Sequence, residues 1–277
     1  MNPLHADRLA SLVQKRRDAL TPRIQHLPPA GSRPLAVAGK VAGWVTARAT
    51  AALRGSPGVR VDHEALHINA DRSHGMTLND VMARAAEVLR DAGCVRGWRN
   101  ELLDVYGEGR RLGVIERAAV RPLGLLTKAV HLNAWSPDGR LWVAQRSLTK
   151  STDPGLWDTL VGGLAGAGED LDLSLLRESN EEAGLEPDHI KERSDLRTIL
   201  RMHRRLPEGY QVEDILVSDC VLAEHVQPRN LDGEVCDIRL LGLTEVCTFL
   251  EQDLFTQEAE LVVLEGLQRR LDQGLIV

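Results

Sequence analysis

Between Gly162 and Leu185 the chain reads GGLAGAGEDLDLSLLRESNEEAGL, and few folds can accommodate that order of residues. Gly162, Gly163, Gly166 and Gly168 let the backbone turn sharply and approach a ligand closely. From Leu171 to Ala183 there is neither glycine nor proline, so the spacing predicts a helix that Gly184 and Pro187 stop. At about 100° per residue, Leu171, Leu175, Ser179 and Ala183 fall on one side, with Leu176 close by. Glu178, Glu181 and Glu182, related by i+3 and i+4, share the neighbouring face, and Glu182 abuts the apolar stripe.

Three carboxylates within one turn repel each other unless a cation neutralises them. Hard oxygen ligands on a fixed helix face suit Mg²⁺ or Mn²⁺. Arg177 reaches Glu181 at i+4, and Glu169 stands where an acid complements the helix dipole. On charge alone, a solvated acidic helix face accounts for the same residues.

The rest of the chain sets the frame. Its 277 residues suggest one large domain or two ordinary ones, and 43% hydrophobic residues suffice for a sizeable core. Aromatics are only 3%, so aliphatic side chains build most of that core. A net charge of −6 without a basic block argues against nucleic-acid binding. Cys94, Cys220, Cys236 and Cys247 match no zinc spacing and read as reduced thiols. Neither an apolar signal core nor a run of about 18 apolar residues is present, so the expectation is a cytoplasmic protein without a membrane span.

Periodicity places an amphipathic helix from Pro3 to about His26, with Leu4, Leu9, Leu12, Val13 and Leu20 at helical spacing. A strand or bent hairpin follows at Leu35–Val45, a β-like segment at Val59–Ile68, and a Thr77-capped helix at Leu78–Asp91. This small α+β unit is expected to span 1–115, with the boundary in the Gly- and Arg-rich Tyr106–Arg121. The second unit, 116–277, carries strands at Lys128–Trp135, Arg140–Ser147 and Leu156–Gly162, then the helix described above. A hairpin turning at Pro207-Glu208-Gly209, a strand at Glu234–Gly242, a helix capped by Thr244, and a last helix from Gln257 follow.

Gly163, five residues, Glu169, seven residues, Arg177-Glu178, then Glu181-Glu182 and Gly184-Leu185 resembles the Nudix box at every fixed position. The one departure is Ser179, where an aliphatic residue is usual. The resemblance implies an α/β/α sandwich with a mixed sheet, preceded here by the small α+β unit. It also implies hydrolysis of a small-molecule diphosphate with Mg²⁺ or Mn²⁺. On it, Glu178 and Glu182 would ligate the metal, with Glu181 beside them and the Gly162 carbonyl completing the set. Arg177 and Glu169 would orient the cluster. The general base would be a box glutamate or one from a later loop, and Glu234, ahead of a strand, is a candidate supporting acid.

Upstream of the box, Arg146 and Lys150 are candidates for binding substrate phosphates, or else edge a solvated hairpin. His131, alternating with Asn133 and Trp135, either lines a pocket or is a satisfied core histidine. Trp157 reads as core. The series Gly97-Trp98-Arg99-Asn100-Glu101, Ile115–Ala119, Gly124, His131-Leu132-Asn133, Gln145-Arg146-Ser147 and Lys150 is similar to two-part Nudix proteins with an N-terminal DUF4743 domain. That group includes the thiamine-pyrophosphokinase-associated Nudix domain. The similarity implies removal of phosphate from thiamine diphosphate or its oxidised derivatives. Trp98, Arg99 and Asn100 either help join the first unit to the pocket or form a tight turn packed on the second unit. Alternatives are a nucleoside diphosphate derivative such as ADP-ribose as substrate, an isopentenyl-diphosphate isomerase, and a non-catalytic ligand sensor. The isomerase would want a cysteine on the strand entering the box, which reads Trp157-Asp158-Thr159-Leu160-Val161. The sensor fits poorly with a full set of box acids.

Overall fold

A computed structural model describes residues 3–150, 152–231 and 233–275. Helix α1 (Pro3–Ile24) leads into a four-stranded sheet of order β2-β1-β4-β3. Strands β1 (Arg33–Val37) and β2 (Lys40–Val45) form the hairpin expected there, turning on Ala38 and Gly39, both at positive φ. The segment Val59–Ile68 is two strands, β3 (Val59–Val61) and β4 (Leu66–Ile68). The Asp62 carboxylate takes the amides of Glu64 and Ala65 and folds the chain back between them. Helix α2 (Ala47–Leu53) and helix α3 (Leu78–Asp91) cover this sheet, and α3 starts on a Thr77–Asp80 capping box.

The Gly- and Arg-rich segment after Tyr106 is not a linker. Strands β5 (Leu102–Gly107) and β6 (Arg110–Glu116) form a hairpin around Glu108-Gly109, again both at positive φ. A single turn, α4 (Val120–Leu123), then leads into the second unit.

That unit is the α/β/α sandwich. Strands β7 (Leu126–Trp135), β8 (Leu141–Arg146), β11 (Arg197–Leu206), β12 (Gly209–Val221) and β13 (Val235–Leu241) lie in the order β11-β12-β7-β8-β13. β7 and β12 are parallel and the other pairings are antiparallel, so the sheet is mixed. The third strand expected at 156–162 is broken at Leu160 into β9 (Trp157–Thr159), paired with β8, and β10 (Val161–Leu164), paired with β7. Alternation on β7 serves two cores: Val130, Leu132 and Ala134 pack with helix α5 (Leu171–Ala183), while Ala129 and Trp135 pack on the opposite face. There lie α6 (Leu243–Glu251) and α7 (Gln257–Asp272). Gly242, rather than Thr244, caps α6, and the Glu245 carboxylate accepts the Gly242 amide.

The expected first unit, 1–115, takes in α1, but the packing distributes the chain differently. Leu9, Val13, Leu20 and Ile24 of α1 are buried with Val262, Val263 and Leu267 of α7. Arg16 pairs with buried Glu260 at 2.7 Å. Leu4 lies outside the described side chains. Conversely, Val120, Leu123 and Leu125 belong to the core of the small sheet. No helix among the described residues is long and apolar enough to cross a membrane.

Candidate active site

The loop after β10 and the first turns of α5 are fixed by one arginine. Arg177 grips Glu169 with two bonds, at 2.9 and 3.0 Å, and reaches Glu178 at 2.9 Å and Glu181 at 3.0 Å. Glu169 also accepts the Gly166 amide and the Ser174 hydroxyl. Arg177 and these donors hold its carboxyl down to about 2, well below the usual carboxylate range. Asp170 caps α5 and Gly184, at φ +62°, ends it.

Glu178 crosses over Gly163 so closely that a methyl on that glycine would sit 2.0 Å from the Glu178 Cδ. Glycine is therefore required here for close approach rather than for a turn. Glu182, one turn on, is buried and accepts the Gly162 amide at 2.9 Å. Burial raises the affinity of both carboxyls for a proton; Glu178 raises that of Glu182 further, and Glu181 that of Glu178. The carboxyl of Glu182 makes no ion pair among the described residues, so a charged Glu182 calls for a cation. That donor set, one buried and one half-buried carboxylate a helical turn apart, fits a divalent metal. Among the described residues no three His, Cys, Asp or Glu side chains converge as a ready cage. A divalent cation in such a half-built site would complete its shell with waters or further oxygens.

Glu178 and Glu182 open onto a cavity of about 210 Å³ between the two units. His131 lies opposite Gly162 in the β7–β10 register, and its Nδ1 meets the Thr159 hydroxyl at 3.0 Å. His131 lines the cavity although it is only 4% exposed, its Nε2 has no hydrogen-bond partner among the described residues, and burial disfavours its charged form. Arg146 and Lys150 line the cavity as well, but both are engaged. Arg146 binds Asp158 at 3.0 Å and the Thr152 carbonyl, and Lys150 pairs with Glu234. Lys150 and Glu234, which sequence separates by a domain's width, thus meet at one point on the rim.

Glu181 is apart from these. Its side chain is 48% exposed, against 14% for Glu178, and it does not line the cavity. Ser179, the off-pattern residue, is buried, and its hydroxyl has no hydrogen-bond partner among the described residues. Of the Trp98–Asn100 trio only Arg99 reaches the cavity; Trp98 stacks beneath Arg90 at 4.5 Å and its Nε1 donates to Asn100.

Several wall residues carried no sequence signal strong enough to find them. Asp158 sits between buried Trp157 and Thr159, an outward position that alternation alone marks. Arg96 comes from the first unit, as does Arg117, which the motif series over Ile115–Ala119 includes. Asp104 of β5 accepts the Gly168 amide at 3.1 Å, and the Leu102 carbonyl accepts that of Ala167, so the hairpin of the first unit pins the loop before α5.

A family model described as a NUDIX domain matches residues 125–263. Among curated proteins, the chain is 29% identical to Saccharomyces cerevisiae YJR142W over 75% of this chain and 65% of that protein. It is 31% identical to Nudix hydrolase 24, chloroplastic, of Arabidopsis thaliana, over 77% of this chain and 59% of that one. The chain therefore spans about six-tenths of the length of these relatives. Among solved structures, DR0079 from Deinococcus radiodurans is 22% identical, covers 61% of this chain and 98% of its own, and superposes with a TM-score of 0.45.

Proposed function

Given that the chain belongs to the Nudix family, we propose that it is a metal-dependent hydrolase that cuts the diphosphate bond of a small molecule. The observation that carries this reading is the pair of half-buried Glu178 and buried Glu182, one helical turn apart and lining a cavity that Arg96, Arg99 and Arg117 also line. Glu178 and Glu182 would hold Mg²⁺ or Mn²⁺, with Gly163 giving Glu178 its room. The bound metal supplies charge neutralisation at the phosphates and a more acidic water. Arg177 keeps Glu178 aimed, and Glu169 keeps Arg177 in place. Glu181, outside the cavity, acts through Arg177 by neutralising part of its charge. The Gly162 carbonyl remains in the proposed ligand set, Glu234 remains the proposed supporting acid, and His131, Arg146 and Lys150 remain proposed substrate contacts.

Within diphosphates we propose thiamine diphosphate or an oxidised derivative as the substrate, in keeping with the motif series of the DUF4743-type proteins. Gln211, Glu213 and Glu258, which also line the cavity, support a head group that donates hydrogen bonds or carries positive charge. The test is product release with Mg²⁺ from thiamine diphosphate, oxothiamine diphosphate, ADP-ribose, a dinucleotide and a nucleoside triphosphate, for wild type and Glu182→Gln. Turnover of thiamine compounds alone supports the full reading. Preference for ADP-ribose removes the thiamine reading and keeps the hydrolase. Binding without turnover by wild type on every compound refutes the hydrolase.

A further inference from the structure

The two cations that the sequence offers for phosphate binding are both occupied. Arg146 is held by Asp158 and the Thr152 carbonyl, and Lys150 by Glu234. A terminal phosphate carries roughly −1.5 to −2 at neutral pH. One divalent cation between Glu178 and Glu182 only cancels those two carboxylates, so the phosphates need positive charge from elsewhere in the wall.

That charge stands on the other unit. Arg96 and Arg99, from the loop after α3, and Arg117, from the end of β6, line the same cavity as Glu178 and Glu182. Arg117 lies near enough to Glu178 to favour its charged form. Arg96 makes no side-chain hydrogen bond or ion pair among the described residues, and it is exposed. The loop is built rather than loose. The buried carboxylate of Glu116 accepts the backbone amides of Arg99 at 2.9 Å and Ala118 at 3.3 Å, tying the two arginine-bearing segments together. The Glu101 carbonyl takes the Arg117 amide, and the Glu101 carboxylate takes one Arg117 guanidinium nitrogen at 2.7 Å. Gly97 and Asn100, both at positive φ, bend the backbone on either side of Trp98-Arg99. Glu101 pairs with Arg117, and Glu116 spends its carboxylate on backbone amides.

We propose that Arg96, Arg99 and Arg117 form a phosphate clamp, supplied by the first unit, that binds the diphosphate against the carboxylate pair of the second. The clamp rests on the hydrolase reading for its substrate, and it gives the small α+β unit a direct part in binding. Guanidinium groups suit this place because their planar fork matches phosphate oxygens two at a time.

The test uses the full chain and methylene diphosphonate, a diphosphate analogue that is not hydrolysed, titrated calorimetrically with Mn²⁺ present at several chloride concentrations. The variants are Arg96→Gln, Arg99→Gln and Arg117→Gln, singly and together, with exposed Arg110→Gln on the β5–β6 turn as control. The triple variant should bind at least about tenfold more weakly, with a shallower salt dependence, while the control binds as wild type does. A folded triple variant with unchanged affinity overturns the clamp. Should that variant fail to fold, protection of the wild-type arginines from phenylglyoxal by the analogue, read by mass spectrometry, decides instead. Protection of Arg96, Arg99 and Arg117 supports the clamp, and unaltered labelling of all three overturns it. The two readings fail separately: analogue binding lost in the variants, with no diphosphate cut by wild type, keeps the clamp and ends the hydrolase. Turnover with an unchanged KM in the triple variant does the reverse.

Discussion

Gly163→Ala is the sharpest test of the carboxylate geometry. The added methyl would lie 2.0, 2.2 and 2.5 Å from the Cδ, Oε1 and Cγ of Glu178. Ordinary carbon contacts lie at about 3.5–4.0 Å, so the carboxylate has to move by roughly 1.5–2 Å. The methyl meets the end of a side chain rather than backbone, so the fold survives, at a cost of about 1–3 kcal/mol. Function fares worse, because a displacement of about 1 Å at a reacting group costs roughly 10²-fold. The expected result is a melting temperature a few degrees lower and a hydrolysis rate down by about 10²-fold or more. Mn²⁺ binding, followed by electron paramagnetic resonance, should weaken in parallel. Gly166→Ala is the matched control in the same loop. Its methyl would come no closer than 3.3 Å, to the Glu169 Oε2, so rate and Mn²⁺ affinity should stay within about threefold of wild type. If folded Gly163→Ala keeps wild-type Mn²⁺ affinity and rate, Glu178 does not work from the position it occupies over Gly163.

Four further outcomes follow from individual contacts. Arg177→Lys keeps the charge but loses the fork to Glu169, so turnover should fall about 10-fold or more while Mn²⁺ still binds; unchanged turnover counts against the orienting role. The carboxyl of Glu169 is held near 2 from an ordinary 4.5, so its contribution is complete above about 4.5 and disappears as pH falls toward 2. Thermal melts of wild type and Glu169→Gln should therefore differ by about 1–2 kcal/mol at neutral pH and converge in acid, and a gap independent of pH refutes the pairing. Asp104→Ala strands the Gly168 amide and Arg111, and should speed hydrogen exchange at Gly166–Gly168 with a loss of about 1–3 kcal/mol; unchanged exchange shows that the hairpin does not hold the loop. Leu20→Ala should cost about 2–5 kcal/mol by calorimetry, and a loss under about 1 kcal/mol would mean that α1 is not part of the second core.

What could be read beforehand was local. The loop, the helix and its acidic face are set by glycine placement and by 3.6-residue periodicity, and both lie within 24 consecutive residues, Gly162–Leu185. Hairpins whose turns carry their own signal were equally legible, as at Pro207-Glu208-Gly209 between β11 and β12. The β5–β6 hairpin escaped because Glu108-Gly109 supplies the turn amid a run of arginine and glycine that composition alone reads as a linker. The break at Leu160 escaped for another reason. Hydrophobicity continues through it, and only the choice of partner, β8 before and β7 after, makes it two strands.

The cavity wall is where local reading ends. Asp104 meets Gly168 across 64 positions and Lys150 meets Glu234 across 84, distances over which no periodicity carries information. The first helix packs 244 residues away, Arg16 on Glu260. The same holds for the arginines of the first unit. Arg99 and Arg117 fall within the motif series, but only the fold brings them, with Arg96, to the cavity that Glu178 and Glu182 line. A motif confined to one loop and helix can specify which bond is attacked, since that chemistry needs a few carboxylates at fixed helical spacing. Recognition of the rest of the molecule needs groups on facing elements, so it is written in tertiary contacts. It follows that substitutions within 162–185 should act mainly on turnover, and those at Arg96, Arg99 and Arg117 mainly on substrate affinity. A KM and kcat profile over both sets separates the two.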